Sequence, residues 1–75
     1  MCLAVPMKVQ SVNGFVASCE AMGVHRDVSL FMLQDEAIEP GDHLLVHVGY
    51  AIKKVSASDA EEAWKLFDEM LAYDA

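Results

Sequence analysis

Lys8-Val9-Gln10-Ser11-Val12-Asn13-Gly14-Phe15-Val16-Ala17-Ser18-Cys19-Glu20, residues 8–20, reads as a β-hairpin in outline. Asn13-Gly14 is the strongest short-range hairpin signal, because both residue types accept positive φ at low cost. On its N-terminal side, Val5, Met7 and Val9 alternate with Pro6, Lys8 and Gln10, which predicts a strand over Leu3–Gln10. Pro6 has no amide donor, so this strand is expected at an edge or beside a bulge there. On the C-terminal side a second strand is predicted over Phe15–Met22. It sets Phe15, Ala17, Cys19 and Ala21 on one face and Val16, Ser18 and Glu20 on the other. Gly23 ends it.

The same period continues outward. Val24–Leu33 alternates Val24, Arg26, Val28, Leu30 and Met32 against His25, Asp27, Ser29, Phe31 and Leu33. An acidic segment, Gln34–Asp42, closes in the turn Pro40-Gly41-Asp42. A fourth strand then groups Leu44, Val46, Val48 and Tyr50 on one face, with Leu45, His47 and Gly49 on the other. A short fifth strand is expected over Ala51–Val55, with a bulge near Gly49. At Ser58 the period changes. Ser58-Asp59-Ala60-Glu61 fits a capping box, and Ala60, Ala63, Trp64, Phe67, Met70 and Leu71 recur at helical spacing to about Tyr73. Trp64, Phe67 and Met70 read as a core stripe in preference to a partner-binding one. The fold class is mainly β: a small, partly open barrel of about five strands over residues ~3–55, with a C-terminal α-helix over ~59–73.

Composition bounds the function. Seventy-five residues make one domain, and a chain this short has little core to spare. With 55% hydrophobic residues, some apolar side chains are expected on the surface as an interaction site. Five basic residues against twelve acidic ones give a net charge of −7, which argues against nucleic-acid binding. The pattern of a secretory signal is missing and no apolar run reaches membrane-spanning length, so the expectation is a cytoplasmic chain with reduced thiols. Zinc-site spacings are absent, and so small a chain cannot build a hydrolase's nucleophile, oxyanion hole and cleft beside a core.

The two cysteines differ in kind. Cys19 shares a face with Ala17 and Ala21 and reads as an inert core thiol. Cys2, directly behind Met1 in Met1-Cys2-Leu3-Ala4-Val5-Pro6, has no apolar register to explain it. If Met1 is trimmed, it carries a thiol and an α-amino group on one carbon. Residues alone leave three options for it: a soft metal ligand, a tethered nucleophile, or an incidental terminal thiol. His47, in His47-Val48-Gly49-Tyr50-Ala51, stands outside the apolar face of its strand beside a glycine that leaves the backbone approachable. His25 and His43 lie next to charged residues and read as ordinary solvated side chains.

Four segments together resemble the HypC/HybG/HupF family of hydrogenase maturation chaperones. They are Met1-Cys2-Leu3-Ala4-Val5-Pro6, Gly23-Val24-His25-Arg26-Asp27-Val28, Pro40-Gly41-Asp42 and Leu45-Val46-His47-Val48-Gly49-Tyr50-Ala51. The resemblance runs in order through most of the chain and implies an OB-like β-barrel with a C-terminal helix. It implies a carrier, not an enzyme, that takes an Fe(CN)2(CO) fragment from the HypD iron–sulfur scaffold to the precursor of the nickel–iron hydrogenase large subunit. HypE is implied as a further member of the HypD complex. No permanent cofactor, nucleic acid or membrane is implied. The family's essential cysteine falls on Cys2 and the histidine of its His-Val-Gly string on His47, which makes these the expected iron-side residues. Cys2, Leu3, Val5, Met7, Gly49 and Tyr50 are the expected partner-binding residues, with Leu3, Val5 and Met7 as exposed docking area. The segment Gln34–Glu39 is short and little sequence follows the helix, so the resemblance implies no particular hydrogenase. The strand pattern alone leaves a nucleic-acid-binding barrel of the OB type as the alternative, and a purely structural assembly subunit as a third.

Overall fold

A computed structural model describes residues 4–74, with side chains over residues 4–69. Its strands are β1 (Val5–Asn13), β2 (Val16–Ala21), β3 (Val24–Ser29), β4 (His43–His47) and β5 (Tyr50–Val55), followed by helix α1 (Ala57–Asp74). They form one barrel in the order β1-β2-β3-β5-β4, closed through β1–β4. This is the expected OB-like barrel with its helix, and it is closed where sequence predicted a partly open one. All joints are antiparallel except β3–β5, which run parallel and meet at a single bridge, Ser29↔Tyr50.

Period-two alternation fills the barrel. Val9, Ala17, Cys19, Val28, Leu44 and Ala51 are almost fully buried, and Met7, Ala21, Leu30, Leu33 and Val46 complete the core. Bulges bend the wall twice. On β1, Gln10 is extra, because Val9 pairs with Cys19 and Ser11 with Ser18. On β5, Ile52 is extra, because Val46 pairs with Ala51 and Leu45 with Lys53. Such bulges supply the bend that closing so small a barrel needs.

Turns correct several sequence expectations. The first hairpin closes through Gly14-Phe15, with Asn13 paired to Val16, and of Asn13 and Gly14 only Gly14 has positive φ. Phe15 therefore belongs to the turn and is 58% exposed, not in line with Ala17 and Cys19. β3 stops at Ser29, and a 3-10 turn over Phe31–Leu33 resets the alternation. Leu33 is buried in consequence, while Val24, Phe31 and Met32 are exposed. Val48 and Tyr50 likewise leave the face of Leu44 and Val46, because a two-residue turn at Val48-Gly49 ends β4. The expected bulge near Gly49 is that turn, and the bulge itself lies at Ile52.

The helix starts two residues earlier than predicted. Ser56 caps it: its hydroxyl accepts the Asp59 amide at 3.0 Å, and its carbonyl accepts that of Ala60. Both Ser56-x-x-Asp59 and Ser58-x-x-Glu61 fit a capping pattern, and the earlier one is used. Ala60 is fully buried, Ala63, Trp64 and Phe67 are half-buried, and the side chains of Met70 and Leu71 lie outside the described residues. Among the described residues, no helix is long and apolar enough to cross a membrane.

Candidate functional site

His47 closes β4 and points outward, because its inward neighbour Val46 fills the core. It pairs with Tyr50 across Val48-Gly49, where both φ angles are positive, 53° and 82°. That is the twist of a type I′ hairpin turn. Gly49 passes the chain on to β3: its carbonyl accepts the Ser29 amide at 2.9 Å. Val16, Ser29, Tyr50 and His47 thus form one outward row across four strands, through the pairs Val16↔Ser29, Ser29↔Tyr50 and His47↔Tyr50. Val16 and Tyr50 are exposed and apolar in body, so the row is a surface with aromatic and aliphatic area beside an imidazole.

The N-terminal segment enters at this row. Val5 pairs with Val46, so the next step of the antiparallel ladder brings Ala4 alongside His47. Cys2 and Leu3, the expected thiol and its apolar neighbour, lie outside the described residues. Val5 is half-buried and packs against the core. Met7 corrects an expectation: it is 5% exposed and belongs to the core, because the odd positions of β1 face inward along with Val9. It offers no docking area. Gly49 and Tyr50 are exposed, and a Cβ built on Gly49 would meet nothing within 4 Å.

Cys19 is fully buried, as its register predicted. Burial, and secondarily the nearby Asp27 carboxylate, push its thiol above the ordinary value of 9.0. At neutral pH it is protonated, which makes it a poor soft-metal ligand. His25 is exposed as expected. His43 is not merely solvated: it is half-buried, with its ring 5.7 Å from the Trp64 indole at 51°. Among the described residues, no three or more His, Cys, Asp or Glu side chains converge as a metal site.

Sequence reasoning missed Val48. Its exposure is 68%, and it holds a left-handed φ that a β-branched residue rarely adopts. The signal was present in the string itself, since two residues between paired strand positions, the second a glycine, make a hairpin turn.

The HupF/HypC family model matches residues 1–67. The hydrogenase maturation factor HypC of Helicobacter hepaticus is 36% identical over 72 residues, covering 95% of this chain and 83% of that protein. The hydrogenase expression/formation protein HupF of Rhizobium leguminosarum bv. viciae is 40% identical over 72 residues, covering 96% and 67%. The HypC of Escherichia coli K12 is 31% identical over 74 residues, covering 93% and 82%.

Proposed function

This chain belongs to the HupF/HypC family, and from that premise we propose that it is a hydrogenase maturation chaperone that carries an iron fragment on Cys2. The cargo is Fe(CN)2(CO), received from the HypD scaffold, with HypE in the same complex, and delivered to the precursor of the nickel–iron hydrogenase large subunit. The chain acts as a cytoplasmic carrier and not as a catalyst.

One observation carries this proposal: the β1–β4 register runs the N-terminal segment into the end of the barrel that holds His47. Two peptide links separate Cys2 from Ala4, so their Cα atoms lie no more than about 7–8 Å apart. A tether of that length allows a thiol to reach the imidazole, Gly49 and Tyr50. The thiolate is the competent soft ligand for low-spin iron, and it forms by releasing its proton to solvent. On handover the iron–sulfur bond to Cys2 breaks and the thiolate takes up a proton. Few ligands suit a carrier, because the bond must be reversible and the partner completes the coordination shell. Cys19 does not compete, since its proton is held by burial. Partner contact falls to Cys2, Leu3, Val5, Gly49 and Tyr50.

The test is to purify the chain from cells that make nickel–iron hydrogenase and to record the infrared cyanide and carbonyl stretching bands. The wild type is expected to show them, Cys2→Ala to lose them together with hydrogenase maturation, and His47→Ala to weaken them with the barrel intact. Normal maturation in Cys2→Ala would overturn the proposal.

A further inference from the structure

The helix does more than cover the barrel: it completes strand β1 on the side that β2 does not reach. The Val9 amide donates to the Asp42 carbonyl at 2.8 Å, and the Val9 carbonyl accepts from the Gly41 amide at 2.9 Å. Both groups of Val9 therefore face the β4 side. Backbone groups alternate along a strand, so those of Val5 and Met7 face the same way and those of Pro6 face the opposite way, toward β2. β2 does not extend that far, because Lys8↔Glu20 is the last β1–β2 pair. Pro6 has no amide hydrogen, which leaves its carbonyl as the single group to satisfy on that side.

Trp64 satisfies it. The indole Nε1–H donates to the Pro6 carbonyl at 2.6 Å, across 58 residues of sequence. Ala60, one turn earlier on α1, is fully buried and lets the helix backbone come close. The His43 ring lies against the indole, and His43 is itself paired to Lys8 of β1 and Val55 of β5. The indole thus stands where a neighbouring strand would stand, and β1 is held from both sides at Pro6.

We propose that Trp64 is a positioning residue for the N-terminal thiol: by fixing Pro6 it steadies the end of β1, whose outermost pair, Val5↔Val46, lies one residue closer to Cys2. This rests on the carrier role of Cys2 proposed above. Four peptide links separate Pro6 from Cys2, a span of at most about 13–14 Å, so sideways freedom at Pro6 widens the range open to the thiol. Trp64→Phe keeps an aromatic ring and removes the donor. Replacing Trp64 with its benzothiophene analogue keeps the bicyclic shape as well, and serves if the phenylalanine variant does not fold.

Two measurements test the assignment. In the purified protein, amide exchange at Val5 and Met7 is expected to quicken about five- to tenfold on loss of the indole donor, with Val28 unchanged. In protein taken from maturing cells, the cyanide and carbonyl bands are expected to fall severalfold per chain. Unchanged exchange would overturn the positioning role, as would quickened exchange with bands at wild-type intensity, which would make the bond purely structural. Either result leaves the carrier role standing provided Cys2→Ala loses the bands. Bands absent from the wild type, or retained in Cys2→Ala, would overturn the carrier role and the positioning role with it.

Discussion

Met22-Gly23 and Val48-Gly49 turn the chain through nearly the same backbone at opposite ends of β3. Met22 and Val48 both have φ 53°, and the glycines that follow have φ 85° and 82°. Each pair links two adjacent antiparallel strands, and each places a non-glycine residue in the left-handed region. The side chains differ. Methionine is unbranched, and its turn is braced from outside, since the Glu20 carboxylate accepts the Gly23 amide at 3.0 Å. Valine is β-branched and stands in the worse place for its type, with the bond of its turn running instead from Ser29 to the Gly49 carbonyl. A strained residue persists where its surroundings fix it, and such residues gather at working sites. The braced turn reads as architecture. The valine turn, beside His47 and the N-terminal segment, belongs with the candidate site.

The largest expected effect separates the two glycines. Alanine at either position meets no steric clash, so its cost is backbone strain, about 1–2 kcal/mol. Strain at Gly49 falls on the carbonyl that accepts the Ser29 amide beside the single β3–β5 bridge, adding about 1 kcal/mol, whereas strain at Gly23 falls on an exposed bond to the Glu20 side chain, which can follow it. Urea unfolding should therefore find Gly49→Ala clearly less stable than Gly23→Ala, and equal losses would show that the turns bear equal structural weight. Next in size are Val48→Asn and Met22→Asn. Asparagine tolerates the left-handed region, so each is expected to gain up to about 1 kcal/mol, more for the branched valine, or roughly 4–8 °C in thermal midpoint. Val48→Asn should lower hydrogenase maturation in cells while Met22→Asn leaves it unchanged. Equal maturation in the two variants would remove the functional distinction. The smallest effect belongs to Glu20→Ala, expected to cost about 0.5–1 kcal/mol and to quicken amide exchange at Gly23 without altering Tyr50.

How far the sequence could be read depended on distance along the chain. Alternation alone groups Ala17, Cys19 and Ala21 on one face and Leu44 and Val46 on another, and all five are buried. Alternation misplaced Phe15, Val48 and Tyr50 because each sits at or next to a turn, where the period restarts. It misplaced Met32 and Leu33 because a 3-10 turn exchanges which of two neighbours faces in. Met7 reads as docking area on its apolar character, yet its register with Val9 points inward, and it is buried. The Trp64–Pro6 bond could not be read at all. It joins a helix to a proline carbonyl through a gap in strand pairing, and neither local propensity nor period carries that information. His47 was placed outward by parity, while its neighbourhood with the N-terminal segment came only with the β1–β4 register.

The single bridge between β3 and β5 also has a kinetic meaning. β1, β2 and β3 form a meander joined by two-residue turns, and β4 and β5 a hairpin of the same kind, so both units assemble from neighbours in sequence. Joining them means closing long loops, which comes later and more slowly. Of the two closing joints, β1–β4 has four paired positions and β3–β5 has one. The β3–β5 seam is therefore the natural place for the closed ring to part, with the meander and the hairpin each keeping its own ladder. Tyr50 forms that bridge and His47 faces it across the turn, so the candidate site lies on the wall at its seam.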